Sequence, residues 1–184
     1  SLRVAGGLGV VPRVVGEGLD IYARRLPLSA AYERVALLHA PYHLALARLL
    51  AQAQALFDVA ALIDCHSMPS AATARAAGRR LDVVIGDRFG ASAAPGLVEA
   101  IESSFVAEGL QVARNKPYAG GYITERYGRP EAGVHAVQIE ISRDLYMDER
   151  TLAPTQGFAA MAAALTQACR RGLTALESAA PFHA

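Results

Sequence analysis

The sequence predicts an α/β domain, a three-layer α/β/α arrangement around a mostly parallel mixed sheet. Apolar runs of strand length recur at 57–65, 81–85, 110–113 and 134–144, and stretches with helical spacing or composition separate them. Strands that alternate with helices build a largely parallel sheet covered on both faces. Size agrees: 184 residues, 53% hydrophobic and 19% charged, suit one globular domain over 1–184 with a full core.

Composition also narrows the function. Eighteen basic residues balance 17 acidic ones for a formal charge of +1, so no overall field attracts nucleic acid or an anionic membrane. No apolar window is long enough and free enough of charge to span a bilayer, and no secretory leader opens the chain. Cys65 and Cys169 make neither a CxxC pair nor a disulfide framework, so a reducing cytoplasm is the expected compartment. The chain opens at Ser1 without a methionine, as a fragment or a processed product would. Oligomeric state is not readable.

Residues 1–20, rich in glycine and valine, read as a loop with a short strand at most, because the glycines lack the spacing of a dinucleotide fingerprint. Ser29 is placed to cap a helix. Val35, Leu38, Tyr42, Ala45, Leu46, Leu49 and Leu50 then keep helical spacing and are expected to face a core. Pro41 should kink or split that helix. Residues 70–80, all small or basic, read as a loop. Pro95 to Glu108 reads as a helix closed by Gly109, and Pro154 to Leu176 as an alanine-rich helix packed on the sheet.

The chain is organised around Leu62-Ile63-Asp64-Cys65-His66-Ser67-Met68-Pro69. The apolar run stops at Asp64, which places His66 at the carboxyl end of a strand, where open α/β sheets leave a crevice for ligands. Neutral imidazole is a good zinc ligand, and a nearby carboxylate fixes its tautomer. A strand end whose histidine only caps backbone groups is an equally consistent reading. In Val134 to Arg143, alternation puts Gln138, Glu140 and Ser142 on one face. Glu140 is either part of a solvated polar face or a carboxylate raised toward the crevice as a general base. Asp87-Arg88 ends another strand, where a guanidinium could grip a carboxylate. Gly120-Gly121 permits close backbone approach to a ligand, with Tyr118, Tyr122 and Tyr127 as hydroxyl donors nearby. Arg126 and Arg143 are further anion holders. His39 and His43, four apart but separated by Pro41, read as packing and capping residues rather than a metal pair. Ser67 lies in no Gly-x-Ser-x-Gly elbow.

Taken in order, Ile63 to Pro69, Gly86-Asp87-Arg88, Asn115 to Tyr122 and Gln138 to Glu149 resemble the N-formylglutamate amidohydrolase family. Gly7 to Arg13 and Pro41-Tyr42-His43 resemble it too. The resemblance implies a zinc carboxypeptidase-like (phosphorylase/hydrolase-like) fold with a mixed eight-stranded sheet between helices. It implies one zinc ion with His66 as a ligand, Glu140 as general base, and hydrolysis of N-formyl-L-glutamate to formate and L-glutamate in histidine breakdown. Arg88, Asn115, Tyr122 and Arg126 are the substrate-binding candidates for a small N-acyl amino acid. A related N-acyl amino acid hydrolase or a carboxypeptidase-like peptidase is the enzymatic alternative. A non-catalytic remnant that binds an amino acid or a partner protein is the other.

The superfamily pattern places two further zinc ligands upstream, in a His-x-x-Glu-like turn. Residues 1–65 hold only His39 and His43, in no such setting. The expectation is therefore a single hydrolase domain lacking its N-terminal strands. Because a catalytic zinc needs three protein ligands, a chain with one would hold it weakly and could be inactive by itself.

Overall fold

A computed structural model of the chain describes residues 7, 9–15, 18–72 and 80–179. Of the expected loop at 70–80, residues 70–72 are helical and 73–79 fall outside these residues, as does part of the expected glycine-rich opening. The chain divides into two compact units, Ser1–Arg48 and Leu49–Ala184.

In the first unit, Val14 and Asp20 form an isolated antiparallel bridge rather than a strand. Helix α1 (Leu28–Arg34) is preceded by Pro27 at the N-cap, not by Ser29, and no side chain caps it. A π-helical turn, Val35–His39, leads directly into α2 (Ala40–Phe57), which continues past the unit boundary. The run divides beside Pro41, as expected: the π turn separates α1 from α2. Pro41 stands in the first turn of α2, where a missing N–H is least costly, and the wide turn before it absorbs the mismatch. The His39 and His43 rings are in tilted contact, with centroids 4.2 Å apart and planes at 54°. The apolar stripe is less buried than its spacing suggests: Leu38, Tyr42 and Leu49 are exposed, and Val35, Leu46 and Leu50 only half-buried. Spacing identifies the face that favours a partner; it does not supply the partner.

The second unit carries the sheet. Strands β1 (Ala60–Met68), β2 (Val83–Gly86), β3 (Val112–Arg114) and β4 (Val134–Ser142) lie in the order β1-β4-β2-β3. β1 and β4 are parallel, as are β2 and β3, while β2 and β4 are antiparallel. The sheet is thus mixed, and the described residues contribute four strands. Helices α3 (Pro95–Ala107) and α5 (Gly157–Ala179) cover one face, and the short α4 (Tyr122–Tyr127) lies over β4 and β1 on the other.

The α3 side holds the core. Val83 and Ile85 of β2 and Val137, Ile139 and Ile141 of β4 meet Leu97, Ile101 and Phe105 of α3 and Met161 and Ala168 of α5. Burying a side chain such as Phe105 contributes about 2–3 kcal/mol. Pro95 starts α3 with its φ already helical, and Gly109, at φ 79°, turns the chain out after it.

β1 runs five residues beyond its apolar stretch, from Asp64 to Met68. Parallel pairing with β4 continues to Met68 opposite Ser142, so His66 lies within the strand and not after it. Main-chain pairing is indifferent to the polarity of the side chains it carries, which is why Asp64 to Ser67 read as a strand end in sequence.

His135 on β4 is buried, and its Nδ1 accepts the Ala94 N–H at 3.1 Å. Only the neutral ring can accept there, and burial holds its pKa below the ordinary histidine value. A depressed folded pKa means that this stabilisation is complete above about pH 6.5 and is lost as pH falls through the folded value. His135→Gln should therefore cost about 1 kcal/mol at pH 7.5, with the gap to wild type shrinking toward pH 5. Urea unfolding midpoints across that range test this; a constant gap would count against it.

Candidate active site

Across the face that α4 partly covers, the strands set two rows of side chains. Asp64 of β1 is opposite Gln138 of β4, which is opposite Gly86 of β2. One step further, His66 faces Glu140, which faces Val84. Alternation turns Asp64, His66, Gln138 and Glu140 to the same side. The two chain segments are 76 residues apart at Ser67 and Arg143, and parallel pairing brings them side by side.

Glu140 is 7% exposed and Gln138 5%, so this is no solvated polar face. Gln138 Nε2 donates to Glu140 Oε1 at 2.7 Å. His66 Nδ1 lies 3.7 Å from the same oxygen, and His66 Nε2 lies 3.0 Å from Asp64 Oδ2. Asp64 thus lies against one edge of the imidazole and Glu140 beside the other. Burial raises the Glu140 pKa above the ordinary carboxylate range. His66, the Gln138 hydrogen bond and the Arg143 charge oppose that shift, while Asp64 adds to it. Glu140 Oε2 makes no hydrogen bond among the described residues and is the oxygen left for a reacting proton.

The other candidates are placed as follows. Asn115, at φ 60°, is buried, and its Oδ1 accepts the N–H groups of Asp87 and Phe89 while its Nδ2 donates to Asp87 Oδ1. Its amide holds the Gly86–Gly90 turn, in which Arg88 and Phe89 both take left-handed backbone angles, so Asn115 contributes through the turn it braces. The Arg88 N–H donates to the Ala119 carbonyl, and its guanidinium lies 3.6 Å from Glu125. Arg126 is exposed, donates to the Tyr122 hydroxyl at 3.0 Å and lies over the Tyr122 and Tyr127 rings. Tyr118 packs against the cluster of Met68, Leu81 and Val84.

Gly86 lets the loop across β2 come close. A Cβ there would stand 2.5 Å from Gly120 N. The loop, which contains a cis Lys116–Pro117 bond, reaches Gly121, where a Cβ would lie 3.1 Å from Gln138 Oε1. On the opposite face an apolar cavity of about 360 Å³ is lined by Cys65, Ser67, Tyr146, Phe158 and Met161 and edged by His66. Desolvation first, and the Asp64 charge second, push the Cys65 thiol up, away from nucleophilic use. Arg143 Nε donates to Ser67 Oγ at 3.1 Å.

His66 has the donor chemistry of a zinc ligand. Among the described residues, however, no three His, Cys, Asp or Glu side chains converge to hold a metal ion. One donor falls short of the three that a catalytic zinc requires.

The sequence matches the N-formylglutamate amidohydrolase family model over residues 1–147. The chain belongs to the N-formylglutamate amidohydrolase family. It is 38% identical over 146 residues to an N-formylglutamate deformylase of Pseudomonas aeruginosa, covering 77% of this chain and 54% of that protein. An N-formylglutamate deformylase of Pseudomonas putida is 33% identical over 144 residues, with the same coverage of 77% and 54%. The crystal structure of an N-formylglutamate amidohydrolase from Ralstonia eutropha JMP134 superposes with a TM-score of 0.88 at 33% identity, covering 97% of this chain and 65% of that one. The chain spans about half the length of the curated relatives it matches. The expected family and α/β fold are thereby established. No helix among the described residues is long and apolar enough to cross a membrane.

Sequence patterning brought His66 and Glu140 forward but left Gln138 unassigned. The signal was present: Gln138 is two residues before Glu140, the spacing that shares a strand face.

Proposed function

We propose that this chain carries the general-base side of an enzyme that hydrolyses N-formyl-L-glutamate to formate and L-glutamate. The observation that supports it most is the carboxylate of Glu140, buried on a central strand beside His66 with one oxygen bonded and the other unpartnered. Burial raises the Glu140 pKa, which makes the ionised carboxylate a stronger base. Oε2 takes a proton from the attacking water and returns it to the leaving amine nitrogen. Arg88, braced by the Asn115 turn, and Arg126 with Tyr122 are the groups proposed to hold the substrate carboxylates.

Zinc is proposed as the cofactor, with His66 one donor and the others outside the described residues. A role in histidine breakdown in the cytoplasm follows from the same substrate. The absence of a three-donor cluster among the described residues favours one second reading, a chain that binds the amino acid without turnover.

Formate release from N-formyl-L-glutamate, measured with and without added zinc, tests the reaction; binding without formate release would select the second reading. In parallel, His66→Ala should lower zinc content measured by elemental analysis to less than about a tenth of wild type, as loss of a ligand does. Unchanged content would remove His66 from the ligand set.

A further inference from the structure

The amide of Gln138 is turned in a way that its own packing does not explain. Its Nε2 donates to Glu140 Oε1, yet its Oε1 is buried and, among the described residues, without any hydrogen-bond partner. Both residues are more than nine-tenths buried. A buried acceptor left unpaired is costly, and most native structures avoid it. Reversing the amide would set two oxygens 2.7 Å apart across the Gln138–Glu140 contact, which an ionised Glu140 repels. The orientation therefore serves Glu140, at the expense of Gln138 itself. The surroundings hold it: Asp64 flanks Gln138 on β1, Gly86 flanks it on β2, and the Gly121 backbone closes over Oε1.

We propose that Gln138 is a positioning residue for the general base: by holding Glu140 Oε1 it fixes the carboxylate rotamer and leaves Oε2 as the oxygen that meets the reacting water. This rests on the hydrolytic role given above to Glu140. Free rotation about the last side-chain bond would otherwise exchange the two oxygens, and a base that must be placed within hydrogen-bond reach loses rate when it wanders. Gln138 touches neither substrate nor reacting atoms; it acts through Glu140.

Gln138→Met, nearly isosteric, removes the donor together with the unpaired oxygen. A residue of purely structural value would lower the melting temperature on replacement. Here the variant should melt at or above the wild-type temperature, bind N-formyl-L-glutamate in calorimetry within about 2-fold of wild type, and lose about 10- to 100-fold in kcat, the range expected for a hydrogen bond to a charged group. Gln138→Asn, which keeps the amide but is one methylene too short to span the contact, should show the same split if the methionine variant folds poorly. In a Glu140→Gln background, Gln138→Met should change the residual rate less than about 2-fold, because the two residues work as one unit. Wild-type turnover with near-normal kcat in both Gln138 variants overturns the positioning role and leaves the hydrolase reading standing. Equal losses in the two backgrounds, or a loss confined to KM, overturn it as well. A wild-type protein that releases no formate overturns both.

Discussion

Glu140→Gln is expected to reduce formate release from N-formyl-L-glutamate by about 10³-fold, within the range that a positioned general base supplies. The substitution is conservative in shape. A glutamine at this position still offers an oxygen to Gln138 Nε2, so the 2.7 Å contact survives and the fold is undisturbed. It also removes a carboxylate that burial disfavours, so the variant should melt no lower than wild type. The sign of the pH effect follows from the same raised pKa. A carboxyl whose folded pKa is raised stabilises the fold below its unfolded pKa and loses that contribution as pH rises through the folded value. Wild type should therefore lose stability relative to Glu140→Gln as pH climbs above about 4.3, the ordinary glutamate value. Turnover runs the other way, because the base must be ionised, and its acid limb should fall above that same value. Turnover in the variant within about 10-fold of wild type would remove Glu140 from the reaction.

The second large effect is expected from Gly86→Ala, a one-methyl change on the strand that flanks Gln138. The new Cβ would stand 2.5 Å from Gly120 N and 2.7 Å from the Ala119 carbonyl carbon. Both neighbours are backbone, so the Asn115–Gly121 loop must move or the strand must bend. Overpacking of this kind costs about 1–3 kcal/mol, which for a chain of this size lowers the melting temperature by about 2–12 °C. The loop also packs on Gln138 Oε1 and carries the Ala119 carbonyl that accepts the Arg88 N–H. Turnover should fall further than stability alone explains, because both the base and the proposed anion holder lose their support. A variant with wild-type melting temperature and turnover would mean that the loop is not held against β2 in this way.

Much of this site was legible from residue order, for definable reasons. An apolar run ending in Asp-Cys-His-Ser, and an alternating strand carrying Glu140, announce themselves because buried strands exclude polar side chains unless those side chains have work to do. The same logic located β2, α3 and α5 to within a few residues, since proline, glycine and apolar spacing act locally. Local rules misled where the outcome depended on partners. Ser29 lost its expected cap to Pro27, and the α2 stripe remained largely exposed.

By itself, the sequence determined the fold class and the family and brought His66 and Glu140 forward as candidates, because each rests on side-chain patterns that short segments carry. Only the tertiary structure decided that β4 pairs parallel to β1 with His66 opposite Glu140, that β2 runs antiparallel beside β4, and that Gln138 is buried with its amide bonded to Glu140. It also decided that Asn115 braces a turn, and that no three donors for a metal meet among the described residues. Register, burial and amide orientation arise from contacts between segments distant in sequence. No single stretch of chain carries the pairing energy that selects them.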